Sequence, residues 1–214
     1  MYVPAHFEET RLEVLHGLIR ARPLATVVTL SSGGIDANHI PLHLEAQAGP
    51  FGTLRGHVAR ANPMWSERVA DSEALAIFHG ADGYISPSWY PTKREHGKVV
   101  PTWNYVVVHA YGALRVIDDP AWLRALLVAL VDRHEASSAA PWSVADAPAE
   151  FIERMIGSIV GFEIAVSKLV GKWKLSQNQP AQNGAGVIEA LRARADADSV
   201  ELADRVEEAA RHGR

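Results

Sequence analysis

Short β-rich segments, separated by turn-forming residues, occupy most of the first half of this chain. Branched and aromatic side chains favour extended backbone because they pack well on a pleated surface, whereas clusters of Ser and Gly favour turns. The Ser-Ser-Gly-Gly sequence at 31–34 therefore predicts a hairpin between the segments on either side of it. The predicted strands are residues 25–30, 35–44, 52–58, 74–78, 101–116 and 162–170.

Helical patterns lie at the ends of this β-rich region. Residues 10–21 carry apolar side chains at helical spacing, and Asp118-Asp119-Pro120 predicts a helix start with an acidic cap and proline in the first turn. Another helix is predicted to begin near Asp146. Many short strands with few helices predict an α+β protein that is mainly antiparallel β, a barrel with peripheral helices.

The last part of the chain has a different character from the rest. Residues 177–186 are rich in Gln, Asn, Gly and Ala and predict a loop, with Asp198 and Glu201 as a capping pair for a later helix. The expected organisation is one domain over residues 1–180 and a charged helical tail over residues 181–214. Because the tail is charged and thinly apolar, we expect it to be a surface or partner-docking helix and not part of the core.

Composition narrows the class of protein. With 214 residues and 48% hydrophobic content, the chain is long enough to bury a substantial core. The sequence contains no cysteine, which excludes disulfides and thiolate chemistry. No apolar run is long enough to span a membrane and no signal peptide is evident, so we expect a cytoplasmic protein without a membrane partner. The net charge of −4 argues against a protein that mainly coats nucleic acid.

Residues 84–105 combine tyrosine, tryptophan and proline with small hydroxyl and amide side chains. Flat rings beside hydrogen-bonding groups, on a backbone stiffened by proline, suit a planar polar ligand. Ser86, Trp103 and Asn104 are the candidate ligand contacts in this segment. The alternative is an aromatic hairpin that only packs. The charged insert at 92–98 is a candidate flap over such a site.

Residues 54–63 predict a site for a phosphate. Gly56 allows close approach to the backbone, and His57, Arg60 and Asn62 follow as donors at the end of a predicted strand. A helix beginning near Ala59 would add its own N–H groups. The alternative is that Arg60 caps a helix or pairs with a surface carboxylate.

Two further patterns concern basic and metal-binding side chains. Lys172 and Lys174 share one face of a predicted strand and Trp173 lies on the other. The two lysines form either a basic ligand-binding element or an ordinary solvated face. His39 and His43 have the spacing of two metal ligands on a helix, but Pro41 between them predicts a strand, where they are about 13 Å apart. That distance is too long for two ligands of one zinc, so no metal site is predicted.

Together these strings resemble the PaiB-type family of FMN-binding negative transcriptional regulators. The resemblance covers about residues 1–180 and rests on residues 1–7, 54–63, 84–90, 100–105 and 171–178. It implies a split β-barrel of the flavin-reductase and pyridoxamine-phosphate-oxidase kind, with FMN bound at the interface of a homodimer.

The resemblance also implies roles for individual residues. His57, Arg60 and Asn62 match the segment that holds the FMN phosphate, and Asn38 and His39 match the strand that meets the isoalloxazine ring.

Near the C-terminal end of the matched region, Trp173 and Lys174 resemble the element that reaches the cofactor in the oxidases. The basic Arg-x-x-x-Lys run that the oxidases carry on a central strand has no equivalent in this sequence.

The leading function is therefore an FMN-binding split-barrel protein with a regulatory or flavin-dependent redox role. One alternative is direct DNA binding as a repressor, which the family name implies and for which Lys93, Arg94 and Lys98 form only a small basic cluster. Another alternative is haem binding.

Overall fold

A computed structural model describes residues 1–212 of the chain. Within these residues the strands form one eight-stranded sheet in the order β3-β2-β6-β7-β8-β5-β4, with β1 paired to β8. The strands are β1 (Glu8–Glu9), β2 (Leu24–Ser31), β3 (Gly34–Pro41), β4 (His43–Glu45), β5 (Thr53–Ala59), β6 (Glu73–Ile85), β7 (Thr102–Ile117) and β8 (Ile159–Lys174). The helices are α1 (Leu12–Ala21), α2 (Thr92–His96), α3 (Pro120–Glu135), α4 (Ala149–Gly157), α5 (Ala181–Arg194) and α6 (Ala197–His212).

The chain divides into two compact units, which are described separately here. The central unit comprises residues 16–78 and 109–169, and the terminal unit comprises residues 1–15, 79–108 and the chain from 170 onward.

The central unit contains the predicted hairpin. β2 and β3 pair from Leu24↔Pro41 to Ser31↔Gly34, so the turn lies where the Ser-Gly sequence places it. Gly34 has φ +114°, a conformation that glycine adopts without steric cost. The Ser31 hydroxyl accepts a hydrogen bond from the Gly33 N–H at 3.2 Å, which ties the turn together.

The predicted start of α3 is also confirmed. The Asp119 side chain accepts hydrogen bonds from the N–H groups of Ala121 and Trp122, and Pro120 occupies the first turn. An acidic cap satisfies N–H groups that have no partner inside the helix, and its charge suits the positive end of the helix dipole.

Several boundaries differ from the sequence prediction. The fourth predicted strand, 74–78, is the start of the 13-residue β6, and the segment 35–44 is divided into β3 and β4. The predicted helix near Ala59 is wrong, because β5 extends to Ala59 and is followed by a three-residue 3-10 turn, Pro63–Trp65, capped by the Asn62 side chain.

The C-terminal tail is helical, as predicted, but it is not only a surface element. α5 begins at Ala181, inside the segment predicted as loop, and α6 follows closely. Val187, Leu191 and Leu202 are fully buried within the terminal unit. The cap of α6 is Asp196, whose carboxylate accepts from the Ser199 N–H at 2.9 Å, instead of the predicted Asp198.

None of the helices in residues 1–212 is both long enough and apolar enough to cross a membrane.

Candidate functional site

The ten predicted site residues belong to two groups, one in each unit. The central unit carries Asn38, His39, His57, Arg60 and Asn62, and the terminal unit carries Ser86, Trp103, Asn104, Trp173 and Lys174. Each group is considered by itself.

Asn38 and Asn62 are brought together in the central unit. The Asn62 Nδ2 donates to Asn38 Oδ1 at 2.7 Å, and Asn62 Oδ1 accepts from the Met64 N–H at 2.8 Å. The Asn38 amide also donates to the Asp36 carboxylate at 2.8 Å. His39, the next residue on β3, is exposed and lies opposite Thr26 of β2. Both amide groups therefore serve first to connect β3 with the end of β5.

Arg60 is engaged by an ion pair. Its two Nη atoms donate to the two carboxylate oxygens of Asp118 at 2.7 and 2.9 Å, while Nε and Nη2 donate to the carbonyls of Gly157 and Ile159. These bonds use four of the five guanidinium N–H groups. They also hold the pKa of Asp118 below its ordinary value. A phosphate contact by Arg60 remains a prediction, and it requires competition with Asp118.

His57 and Gly56 are neighbours on β5, so they lie on opposite faces of the sheet. A Cβ at Gly56 would come within 2.8 Å of both Leu42 and Phe162, so this glycine is required by core packing and not by a ligand. On the other face, His57 pairs across the sheet with Gly161, over which the Trp122 ring lies.

The imidazole of His57 is partly desolvated. Its Nδ1 atom is buried without a hydrogen-bond partner, and burial lowers its pKa below the ordinary value. The imidazole is therefore neutral at neutral pH and can donate or accept one further hydrogen bond.

Trp103 and Tyr84 form an exposed aromatic pair in the terminal unit. Their ring centroids are 6.2 Å apart with an interplanar angle of 73°, an edge-to-face arrangement. Trp103 is 54% exposed and Tyr84 is 44% exposed. Near them in sequence, Ser86 caps a 3-10 turn, Pro87–Trp89, by accepting from the Ser88 N–H. The aromatic segment therefore does not only pack, because two of its large rings face solvent.

Asn104 points the opposite way from Trp103, since neighbouring residues of a strand alternate faces. It is fully buried and shares two contacts with the Ser176 hydroxyl, at 2.9 and 3.2 Å. Ser176 has φ +65°, so this pair fixes a left-handed turn where the chain leaves β8. Sequence reasoning missed Ser176, although a small hydroxyl residue directly after a strand is a common turn signal.

Trp173 and Lys174 likewise alternate on β8 and are not brought together. Lys174 Nζ donates to the Thr102 hydroxyl at 2.6 Å. Trp173 instead lines a cavity of about 210 Å³, together with Arg11, Gln177 and Arg205.

Lys172 is a residue whose burial the sequence did not indicate. Only 8% of it is exposed, its Nζ donates to the Tyr2 carbonyl at 3.1 Å, and it lies 5.2 Å from the centre of the Tyr105 ring. The cation–π contact and the carbonyl bond together replace part of the lost hydration.

The described residues can be compared with what FMN requires. A flavin ring needs a flat apolar surface with polar groups beside it, and the exposed rings of Trp103 and Tyr84 in the terminal unit fit that need. A phosphate needs free donors, and the central unit offers the unpartnered Nδ1 of His57 and one remaining N–H of Arg60. Within the terminal unit the exposed rings fit a flavin ring. Within the central unit, a two-point contact of Arg60 with a phosphate requires the Arg60–Asp118 pair to loosen.

No group of three or more His, Asp or Glu side chains is placed to hold a metal ion among the residues described.

The antiparallel sheet with peripheral helices places this protein in the class of α+β split-barrel folds. Two solved structures share the fold. One is the flavocytochrome Anf3 from Azotobacter vinelandii, 14% identical with a TM-score of 0.57, covering 80% of this chain and 72% of that chain. The other is the FAD and heme binding protein from Mycobacterium smegmatis, 18% identical with a TM-score of 0.56, covering 78% and 73%.

Sequence similarity then gives the family. The model of the family described as "Putative FMN-binding domain" matches residues 1–168, and the chain belongs to this family. It is 31% identical over 208 residues to the protease synthase and sporulation protein PAI 2 of Bacillus subtilis, covering 97% of both chains. The protein is thus a flavin-binding split-barrel protein of the PaiB type, and FMN is the cofactor of its family. The predicted fold class and cofactor are confirmed.

Proposed function

We propose that this protein is a homodimeric flavoprotein in which FMN is held against the aromatic surface formed by Tyr84 and Trp103. The observation that carries the proposal is the exposure of these two rings, 44% and 54%, on a segment whose other aromatic rings, Trp89, Tyr90 and Tyr105, are buried or half-buried. Large rings left in water cost free energy, and such surfaces usually contact a ligand or a partner.

The role of the cofactor would be redox. FMN supplies one- and two-electron transfer when bound, and the protein supplies orientation, access and electrostatics. Trp103 and Tyr84 would limit the position of the ring plane. Ser86 and Lys93 lie in the same segment and would provide polar contacts at the rim of the flavin ring. Lys93 Nζ donates to the Ser88 hydroxyl at 3.1 Å.

The same surface supports the proposed homodimer. Val100, 74% exposed, lies on the same segment of the terminal unit as Tyr84 and Trp103. A second copy of the chain would cover all three, and a two-fold dimer uses the same patch on each copy.

The insert at 92–98 remains a candidate flap. Its first residue, Thr92, is buried and its hydroxyl donates to Asn183 Oδ1 of α5 at 3.0 Å, whereas Lys93 to Lys98 are exposed. Movement of the flap would therefore begin after Thr92. Gly97, in the left-handed conformation with φ +66°, ends α2 and is a suitable hinge.

A regulatory role through direct DNA binding is the second candidate. Lys93, Arg94 and Lys98 are exposed on one short stretch, which favours contact with a phosphate backbone. The net charge of −4 opposes it. We expect any DNA binding to be weak and lost as salt increases.

The test of the proposed site compares two exposed tryptophans. Trp103→Ala removes half of the aromatic surface, and Trp142→Ala removes a ring of similar exposure, 45%, from the central unit. Titration of FMN into each variant, followed by quenching of flavin fluorescence, should show at least a tenfold loss of affinity for Trp103→Ala and none for Trp142→Ala. Equal affinity in both variants would remove Trp103 from the site.

A further inference from the structure

A second cavity lies in the central unit, outside the predicted flavin contacts. It has a volume of about 120 Å³, lies between α3 and the strand pair β4–β5, and is partly open to solvent. Its lining includes His43, Glu45 and Arg55 from the strands and Trp122, Ala125 and Ala129 from α3.

Two buried polar atoms at this cavity have no hydrogen bond within the described chain, and one of them, Arg55 Nε, lies 3.8 Å from a carboxylate oxygen of Glu163. His43 and Arg55 are direct cross-strand neighbours, and His43 Nδ1 and Arg55 Nε are both buried without a hydrogen bond. Buried polar atoms are nearly always hydrogen bonded in folded proteins. Two nitrogen atoms without a hydrogen bond beside one cavity therefore favour a ligand group that enters it.

The charge around the cavity favours an anion. Arg55 makes only loose ion pairs, 3.7 Å to Glu45 and 3.8 Å to Glu163, and Glu163 is itself held by Arg115 at 2.7 Å. Two more arginines, Arg20 and Arg133, contribute positive potential at His43, which Glu45 opposes. Three arginines, Arg20, Arg55 and Arg133, therefore act on His43. Glu45 is the one carboxylate there without a close ion pair.

The helix side of the cavity is apolar. Ala125 and Ala129 are one turn apart on α3 and leave space, and the Trp122 ring and Leu126 form the rest of that wall. An inorganic phosphate would find no donors there for its remaining oxygens. A ligand with one carboxylate and a short apolar chain satisfies both sides.

We propose that this cavity is a binding site for a small monocarboxylate, whose oxygens accept hydrogen bonds from Arg55 Nε and His43 Nδ1 while its hydrocarbon part contacts Ala125 and Ala129. None of the residues that line the cavity is a predicted flavin contact. His43 would be in the tautomer that carries its proton on Nδ1.

The experiment uses the full-length protein, with and without FMN, and propionate as the probe. Proton–nitrogen correlation spectra should show saturable shifts for the Trp122 indole N–H and for the backbone N–H groups of His43 and Arg55. Propionamide has the same shape without the charge, and it should produce at least tenfold weaker effects. Affinity for propionate should also increase as the pH is lowered from about 7.5 to 6, because a protonated His43 adds positive charge.

Three variants locate the binding. Arg55→Met removes the charged donor, Ala129→Leu fills the cavity without touching a polar group, and each should weaken propionate binding at least tenfold. Arg124→Met is the control, since Arg124 is on the same helix but pairs with Glu153 outside the cavity. Absence of saturation by propionate, an equal response to propionamide, or unchanged binding in Ala129→Leu would overturn the proposal and leave the cavity to water.

Discussion

Arg60 and Asp118, 58 residues apart in the sequence, form a two-point ion pair with N–O distances of 2.7 and 2.9 Å. The pair joins the end of β5 to the residue that precedes the cap of α3. The pair also limits the number of Arg60 N–H groups that can bind a phosphate, and the guanidinium is the strongest donor in the predicted phosphate site.

Replacement of Arg60 tests both of its roles. We predict that Arg60→Ala lowers the melting temperature, since bonds to Asp118 and to the Gly157 and Ile159 carbonyls are lost. We also predict that FMN affinity falls by about ten- to a hundredfold, while riboflavin, which lacks the phosphate, is nearly unaffected. Fluorescence titration with both flavins measures the ratio. Arg115→Ala, which removes another paired arginine of the central unit, is the control.

An equal loss of affinity for both flavins in Arg60→Ala would leave Arg60 as a structural brace only.

Replacement of Asp118 acts in the opposite direction. Asp118→Asn keeps the size of the side chain but removes the negative charge that competes with a phosphate for Arg60. FMN should bind several-fold more tightly to this variant, and riboflavin should bind as it does to wild type. The same titration measures this ratio. If FMN affinity falls together with the melting temperature, the ion pair only orders the strand end.

Two partly buried histidines predict acid sensitivity. Burial is the main cause that lowers the pKa of both His43 and His57 below the ordinary value of 6.5. As pH falls through 6.5, the unfolded chain gains protons that the folded protein resists, so the free energy of unfolding decreases. The decrease is at most about 1.4 kcal/mol per pH unit for each histidine.

Urea unfolding between pH 7.5 and 5.5 measures this decrease. His57→Gln should reduce the pH dependence. An unchanged slope in His57→Gln would show that His57 is not the group that titrates.

Two glycines of α5, Gly184 and Gly186, allow a matched test of how closely this helix packs against the segment that contains Trp89. A Cβ at Gly186 would lie 2.1 Å from the Trp89 carbonyl oxygen, whereas a Cβ at Gly184 would meet nothing within 4 Å. Gly184→Ala should raise stability by up to about 1 kcal/mol, because alanine is the better helix former. Gly186→Ala should lower the melting temperature and disturb the aromatic segment. Thermal unfolding of both variants checks this, and similar melting temperatures would contradict the close approach.

The proposed dimer places Val100 at the interface. Light scattering at micromolar concentration, with FMN present, should give twice the chain mass for the wild type. Val100→Asp should shift the mass toward the monomer, because a charge would be buried at the contact. Phe151→Asp, at an exposed apolar position on α4 of the central unit, should remain dimeric. A monomeric wild type, or a monomer only with Phe151→Asp, would contradict this interface.

Much of the fold could be predicted because its signals are local. The hairpin around 31–34 and the acidic cap of α3 depend on residues a few positions apart, and both are confirmed. The burial of Val187 and Leu191 could not be predicted, because these residues are covered by parts of the terminal unit that are distant in sequence.

The candidate site was harder to predict for the same reason. The sequence of residues 54–63 identifies Arg60 as a donor but not its partner, since Asp118 follows a strand that is far along the chain. The neighbours His43 and Arg55 become visible only with the strand register. Alternation along β8 was readable and separates Trp173 from Lys174, whereas both Trp103 and Asn104 of β7 were predicted as ligand contacts although they lie on opposite faces.

The most direct test of flavin binding is the visible absorption spectrum of the protein after incubation with FMN and removal of free ligand by gel filtration. The account predicts flavin bands that co-elute with the protein in near one-to-one amount with the chain. A protein peak without flavin bands, or with a Soret band of haem in their place, would contradict it.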